Sequence, residues 1–301
     1  MAMNNDEGQT VSLTALSELT GAPFFDLIMA KAPKVVTYRI AKAADHYNKA
    51  VLLRGADEEM GAIRLIAAEE ELVIAIFKWL EQNPDDYPDV SLLLKKFKEH
   101  RVKLAFYPTL CQFVFALEDL ADGVAPEGLN SHITWKPDLI ADGGKVMVRL
   151  LNEEGGEIFR HNPLMINLNR GDLTPDQVVQ SLMEQMRESV RGERGLDLKT
   201  YIMERAVFRD RLLYAYDDVP AYTMAETMDE LLAVFNITLK RLLLTLAILV
   251  SDPPPSKDWG VLAQFLTLYH QVLAECGIGK VPTAALTRPP DTYEEIKFTG
   301  G

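Results

Sequence analysis

Arg39 and His46 are the first two residues whose types could do chemistry together. His46 comes seven positions after Arg39, close to two helical turns, so both side chains would lie on one face of a helix. An arginine can stabilise developing negative charge and a histidine can move a proton, which is what metal-free RNA cleavage needs. Lys42 and Lys49 share that face, so the alternative interpretation is an exposed basic face that binds a partner.

Glu70 and His100 are the second pair of candidates. Each interrupts an otherwise apolar helical stripe, and a carboxylate on a core stripe must be paired or protonated. Because the two predicted helices are neighbours along the chain, we expect Glu70 to be a partner for His100. The alternatives are that Glu70 reaches water at the edge of the core and that His100 is an ordinary core histidine.

Two basic segments, 31–54 and 95–103, flank the acidic segment 55–90. They predict a basic face that binds RNA or an acidic partner, although the net charge of −13 is unfavourable for nucleic acid as a whole. The alternative is charge scattered over solvated helix faces. The candidate binding residues are Lys42, Lys49, Lys96, Arg101 and Lys103.

Helical periodicity dominates the chain. Asp57 is a candidate helix cap, and Pro108 should kink or divide the helix that contains it. Thr174 with Gln177, and Thr223 with Glu226, form candidate capping boxes. The predicted elements are one or two short helices within 12–30, longer helices over about 34–54, 58–81, 90–120, 175–191, 197–215, 223–250 and 258–275, and a β-hairpin from strands 145–151 and 157–162.

Composition suits a protein with a substantial core, since 48% of the residues are hydrophobic. We expect a mainly α protein with one domain over residues 1–280 and a loose tail over 281–301. The core of its bundle would cover about 34–121 and 174–278, with an insertion at 122–172. The sequence indicates a cytoplasmic protein without a membrane segment, and neither a metal site nor a cofactor motif is apparent.

The stretch "ADHYNKAVLLRGADEEMGAIRLIAAEEELVIAIFKWL" resembles the opening helix pair of HEPN-type proteins. The stretches "LLKKFKEHRVKLAF" and "RDRLLYAYDDVP" are similar to later segments of the AbiV-type abortive-infection branch of that superfamily. The resemblance covers about 36–120 and 200–222. It implies a HEPN-like helical bundle with additional helices, and a role in bacterial defence against phage.

The resemblance also implies an effector that acts on RNA or translation. Active HEPN ribonucleases carry an Arg-x4–6-His motif on a late helix, whereas the match in this chain, Arg39 to His46, lies on the opening helix. We therefore expect an abortive-infection effector that binds RNA, or a phage or host protein. The alternatives are a metal-independent ribonuclease using Arg39 and His46, with Glu70 and His100, and a helical interaction protein or antitoxin-like regulator. A homodimer is a further expectation.

Overall fold

The structure, a computed structural model, describes residues 2–4, 10–82, 99–123, 136–151, 154–165, 168, 173–213, 227–251 and 260–278. This part of the chain is mainly helical, as the sequence predicts. Its helices are α1 Thr14–Thr20, α2 Ala22–Lys31, α3 Lys34–Leu53, α4 Glu58–Glu81, α5 His100–Gly123, α6 Pro175–Arg194, α7 Leu198–Leu213, α8 Met228–Ser251 and α9 Val261–Glu275. Its strands are β1 Ala2–Asn4, β2 Thr10–Ser12, β3 Lys136–Asp142, β4 Lys145–Leu151 and β5 Glu157–His161.

The chain forms two compact units, one of residues 1–107 with 202–251 and one of residues 108–201 with 252–301. Helix α5 is continuous through Pro108, so the proline does not divide it, but the boundary between the units falls at this residue. The expected single domain over 1–280 stays a prediction. The expected tail over 281–301 lies outside the described residues.

In the first unit, helices α3 and α4 pack against each other as an antiparallel pair. The chain reverses at Gly55, whose φ of +72° suits glycine, and the Asp57 carboxylate accepts a hydrogen bond from the Met60 amide at 3.0 Å. The predicted cap at Asp57 is confirmed. Helix α4 also packs against α8, and burial on several sides explains its long run of apolar residues.

Helical periodicity predicts an apolar stripe on α3 at Ile40, Ala44, Tyr47 and Val51, and most of it is buried. Ile40, Ala44 and Tyr47 are buried, but Val51 is 43% exposed and Ala50 is buried instead. Helical phase alone would place Val51 with Tyr47 on the core face, but Val51 lies in the last turn of α3, which ends at Leu53. The Tyr47 hydroxyl donates to Oδ1 of Asn236 on α8 at 2.8 Å.

In the second unit, the predicted hairpin is present as β4 and β5, and β3 extends it to an antiparallel sheet with the order β3-β4-β5. The sequence does not predict strand β3, because "KPDLIAD" contains a proline and two aspartates, which are typical of loops. Helix α6 opens with the predicted capping box of Thr174 and Gln177. It ends at Arg194, three residues later than predicted.

Helix α8 begins later than the sequence predicts. Thr227 caps it: its hydroxyl accepts from the Glu230 amide at 3.3 Å, and Oε2 of Glu230 accepts from the Thr227 amide at 2.8 Å. The predicted box at Thr223 lies outside the described residues; the same Thr-x-x-Glu pattern recurs four positions later. Among the described helices, α8 is long and apolar enough to cross a membrane by length and composition, a test that core helices of soluble proteins also pass.

Candidate catalytic and anion-binding site

Three consecutive glutamates on α4, Glu69 to Glu71, form the centre of the site. Successive helical residues point about 100° apart, so the three carboxylates face different neighbours. Each contacts a cation or a histidine from another helix. We call five of these side chains, together with Arg209, which contacts His100, the His100 cluster: Glu69, Glu70, His100, Lys103, Arg205 and Arg209.

Glu70 joins α4 to α5 through both of its carboxylate oxygens. Oε1 lies 2.5 Å from Nδ1 of His100, and Oε2 accepts from the Lys103 ammonium at 2.7 Å. Glu70 is 7% exposed, so its charge is compensated inside the protein. The expected contact between Glu70 and His100 is confirmed, and the alternative of a water-exposed Glu70 is wrong. The catalytic role of either residue stays a prediction.

These contacts indicate which nitrogen of His100 carries a proton. An ammonium can only donate, so Oε2 of Glu70 is an acceptor, and a carboxylate beside an ammonium is ionised. Oε1 then accepts as well, which places a proton on Nδ1 of His100. Nε2 is therefore the unprotonated nitrogen of the neutral ring. A histidine oriented in this way by a carboxylate is the usual arrangement for a general base.

Arg209 on α7 lies over the face of the His100 ring. Its Nη1 atom is 2.8 Å from Nε2 and 3.4 Å from Nδ1. A donor along the lone-pair axis of Nε2 would lie much farther from Nδ1 than from Nε2, so the two distances place Nη1 over the ring and off that axis. The side chain of His100 is 36% exposed, so a ligand can reach it.

The guanidinium of Arg209 lacks a carboxylate partner within the described ranges, where its hydrogen-bond contacts are with His100. Its Nε atom is buried and has no hydrogen-bond partner in the same part of the chain. The His100 cluster contains two carboxylates and three cations, so it carries one excess positive charge when His100 is neutral. Arg209 carries this uncompensated positive charge beside the partly exposed imidazole of His100.

Arg205 lies one helical turn before Arg209 and holds α7 against α4. Its Nη2 atom donates to Oε1 of Glu69 at 2.9 Å, and its Nε atom donates to the carbonyl of Leu104 at 3.3 Å. Glu69 is 1% exposed. Burial raises the pKa of Glu69, and the Arg205 guanidinium opposes this rise without overcoming it.

Arg39 and His46 have separate partners. Arg39 donates to Oε2 of Glu71 at 2.9 Å, and Nη1 of Arg64 lies 3.1 Å from Nδ1 of His46. Burial, with Arg64 and Lys42 nearby, lowers the pKa of His46 from 6.5 to about 4. Nothing in these contacts joins the two side chains in a common site. Their predicted catalytic roles therefore gain no geometric support, although they share one face of α3 as expected.

The predicted basic face is only partly present. Lys42 and Lys49 are exposed and lie 3.7 and 2.9 Å from Asp45. Arg101 is half-buried beside Glu99, and Lys96 lies outside the described residues. The prediction that Lys103 is a surface binding residue is wrong: it is 6% exposed, because its charge compensates Glu70 in the interior.

Glu69, Arg205 and Arg209 were not among the predicted site residues. Arg205 and Arg209 lie four positions apart, so they share one face of α7, and this spacing is the signal that could have found them. It is too common to single out one helix. Within the described ranges, no three His, Cys, Asp or Glu side chains are arranged to hold a metal ion.

Comparison of the chain with protein-family models, with curated proteins and with solved structures gives no match. The proposal of RNA binding therefore rests on the geometry of the His100 cluster.

Proposed function

We propose that this protein is a cytoplasmic effector of bacterial defence against phage, and that it acts by binding RNA at the His100 cluster. The resemblance to abortive-infection proteins of the HEPN-like superfamily supports the defence role. The observation that carries the RNA proposal is the guanidinium of Arg209, which contacts a histidine but no carboxylate in the described part of the chain.

Phosphate is the chemical group that suits Arg209 best. A guanidinium presents several donors in a plane, which matches the oxygens of a phosphodiester, and such charge-assisted bonds are among the stronger hydrogen bonds in proteins. The ring of His100 lies next to it and is partly exposed. Because the whole chain carries a net charge of −13, we expect local, salt-sensitive binding rather than long-range attraction of RNA.

A second candidate function is metal-independent RNA cleavage, favoured by the contact between Glu70 and His100. In this reaction Nε2 of His100 takes the proton of a ribose 2′-hydroxyl while the 2′-oxygen attacks the adjacent phosphorus. The bond from phosphorus to the 5′-oxygen breaks, and the proton returns from His100 to that oxygen. The products are a 2′,3′-cyclic phosphate and a 5′-hydroxyl. Arg209 would stabilise the negative charge on the phosphoryl oxygens.

Expression in a bacterial host tests RNA binding and RNA cleavage at the His100 cluster. It also tests the alternatives of a catalytic site at Arg39 and His46 and of a helical interaction protein or antitoxin-like regulator. Wild type, His100→Gln, Arg209→Ala and His46→Asn would be compared for growth arrest and for the integrity of cellular RNA. The proposal predicts that the wild type arrests growth, that His100→Gln and Arg209→Ala relieve the arrest, and that His46→Asn behaves like the wild type.

The outcomes separate the candidates. Arrest with intact RNA would exclude cleavage and leave RNA binding. RNA that is cut by the wild type and by His100→Gln, but not by His46→Asn, would assign the chemistry to Arg39 and His46 instead. Arrest that survives both changes at the His100 cluster, without RNA bound to the purified protein, would favour a helical interaction protein or an antitoxin-like regulator and overturn the proposal.

A further inference from the structure

Lys103 belongs to the basic segment of the sequence, yet its side chain is directed inward. The side chain is 8% exposed, and Nζ lies 2.7 Å from Oε2 of Glu70. The other oxygen of the same carboxylate contacts Nδ1 of His100. A buried ammonium, a shared carboxylate and a partly exposed imidazole thus form a continuous chain from the interior to the surface.

We propose that Lys103 is a positioning residue for His100. Its charge compensates the Glu70 carboxylate, and through that carboxylate it keeps the ring proton of His100 on Nδ1 and Nε2 available to the ligand. This inference rests on the proposed function of the His100 cluster, because it concerns the reactive nitrogen of that site.

The positioning role follows from the cost of burying a lone carboxylate. A carboxylate removed from water is unfavourable unless a cation or hydrogen bonds compensate it. Within the described ranges, the charged or titratable groups that contact Glu70 are Lys103 and His100, and Arg209 lies over the face of the His100 ring. Lys103 therefore supplies the positive charge in direct contact with Glu70.

Loss of that charge would change the direction of the hydrogen bond between Glu70 and His100. A protonated Glu70 donates to Nδ1 instead of accepting from it, so the neutral ring would carry its proton on Nε2. Nε2 would then be unable to accept a proton from a ligand. Carboxylates that orient a catalytic histidine act through its tautomer in the same way.

Nuclear magnetic resonance of the full-length, ¹⁵N-labelled protein tests this directly. Long-range nitrogen–proton correlations report which ring nitrogen is protonated, and His100→Gln assigns the His100 signals. At a pH where the ring is neutral, we expect the proton on Nδ1 in the wild type and in Lys103→Arg. We expect it on Nε2 in Lys103→Met and Lys103→Gln, of which the second retains a hydrogen-bond donor but no charge.

Lys49→Met is the matched control, because it removes an exposed lysine that contacts Asp45 and should leave the tautomer unchanged. A purely structural ion pair predicts lower stability of the Lys103 variants with the proton still on Nδ1, and that result would overturn the inference. A wild-type ring protonated on Nε2 would overturn it as well, even if neither neutral variant folds.

The RNA assays and the tautomer measurement can reject the two proposals separately. If RNA does not bind to the wild type, the proposed function is lost, while a reversed tautomer in Lys103→Gln would still establish the positioning role. If the wild type cleaves RNA, Lys103→Gln should cleave it about tenfold more slowly or worse, in the range seen when groups that orient a functional histidine are removed. Equal cleavage with an unchanged tautomer would remove the inference and leave the function.

Discussion

Nδ1 of His100 lies 2.5 Å from Oε1 of Glu70, although the two residues are 30 positions apart in the chain. The contact brings the one polar residue of the α4 stripe to the histidine at the start of α5. Lys103 binds the other carboxylate oxygen, and Arg209 covers the ring. One buried carboxylate therefore contacts both a buried ammonium and a partly exposed imidazole.

Replacement of Glu70 should lower the free energy of unfolding, and the loss should be larger when the Lys103 ammonium is left without a hydrogen-bond acceptor. Glu70→Leu leaves the Lys103 ammonium buried without a partner, and we expect the free energy of unfolding to fall by about 3–5 kcal/mol. Glu70→Gln retains an oxygen acceptor and should cost less. Urea denaturation of the three proteins measures both differences.

The double variant Glu70→Leu with Lys103→Met is the control for that prediction. It removes both buried charges and should recover much of the stability lost in Glu70→Leu. Lys103→Met is measured alone as well. If the losses of Glu70→Leu and Lys103→Met are strictly additive, or if both are near zero, the pair of Glu70 and Lys103 is exposed or unimportant in solution.

Arg205→Met should make stability depend on pH through Glu69. Burial already raises the pKa of Glu69 in the presence of Arg205, and without Arg205 the ionised form has lost its cation. A carboxyl group whose pKa is raised by folding destabilises the protein as pH rises through that pKa. The penalty of Arg205→Met, about 3–5 kcal/mol at neutral pH, should therefore shrink on acidification. Chemical denaturation at several pH values between 7 and 5 measures this trend.

Adding Glu69→Gln to Arg205→Met removes the titrating group and should flatten the pH dependence of the penalty. A penalty that grows on acidification would contradict the assignment to Glu69.

His46 predicts the opposite dependence on pH for the wild type. Its pKa is lowered by burial from 6.5 to about 4, so the unfolded chain binds a proton more readily than the folded one across that interval. Stability from neutral His46 is complete above about pH 6.5 and is lost as pH falls towards 4. The slope is below about 1.4 kcal/mol per pH unit, the limit for one proton, because partial exposure screens the effect.

His46→Asn supplies a side-chain oxygen towards Arg64 but cannot titrate, so its melting temperature should fall less than that of the wild type between pH 7 and pH 5. Parallel curves for the two proteins would show that His46 does not control acid stability.

The start of α8 gives a local test of the fold. Thr227→Ala removes the hydroxyl that accepts from the Glu230 amide and should lower the free energy of unfolding by about 0.5–2 kcal/mol. Thr223→Ala leaves this cap intact and serves as the control. A larger loss for Thr223→Ala would contradict a helix that begins at Met228.

The sequence predicts the parts of the site that local patterns encode. The apolar stripes around Glu70 and His100 each leave one polar position towards the core, so helical periodicity is enough to infer their contact. Arg209 could not be inferred in this way, because its placement depends on how α7 crosses α4 and α5, which no local period specifies. The sequence wrongly predicts Lys103 as a binding residue, because a run of charged residues does not reveal which lysine points inward to compensate a buried carboxylate.

RNA binding by Arg209→Ala is the sharpest test of the proposed function. Fluorescence anisotropy with a labelled single-stranded RNA, at fixed salt and without divalent metal, would compare it with the wild type and with Arg211→Ala. Arg211→Ala removes the same charge from an exposed position of α7. We expect Arg209→Ala to weaken binding by about tenfold or more, the loss of one charge-assisted phosphate contact, and Arg211→Ala to have a much smaller effect. Equal weakening by the two changes, or no RNA binding by the wild type, would contradict RNA binding at the His100 cluster.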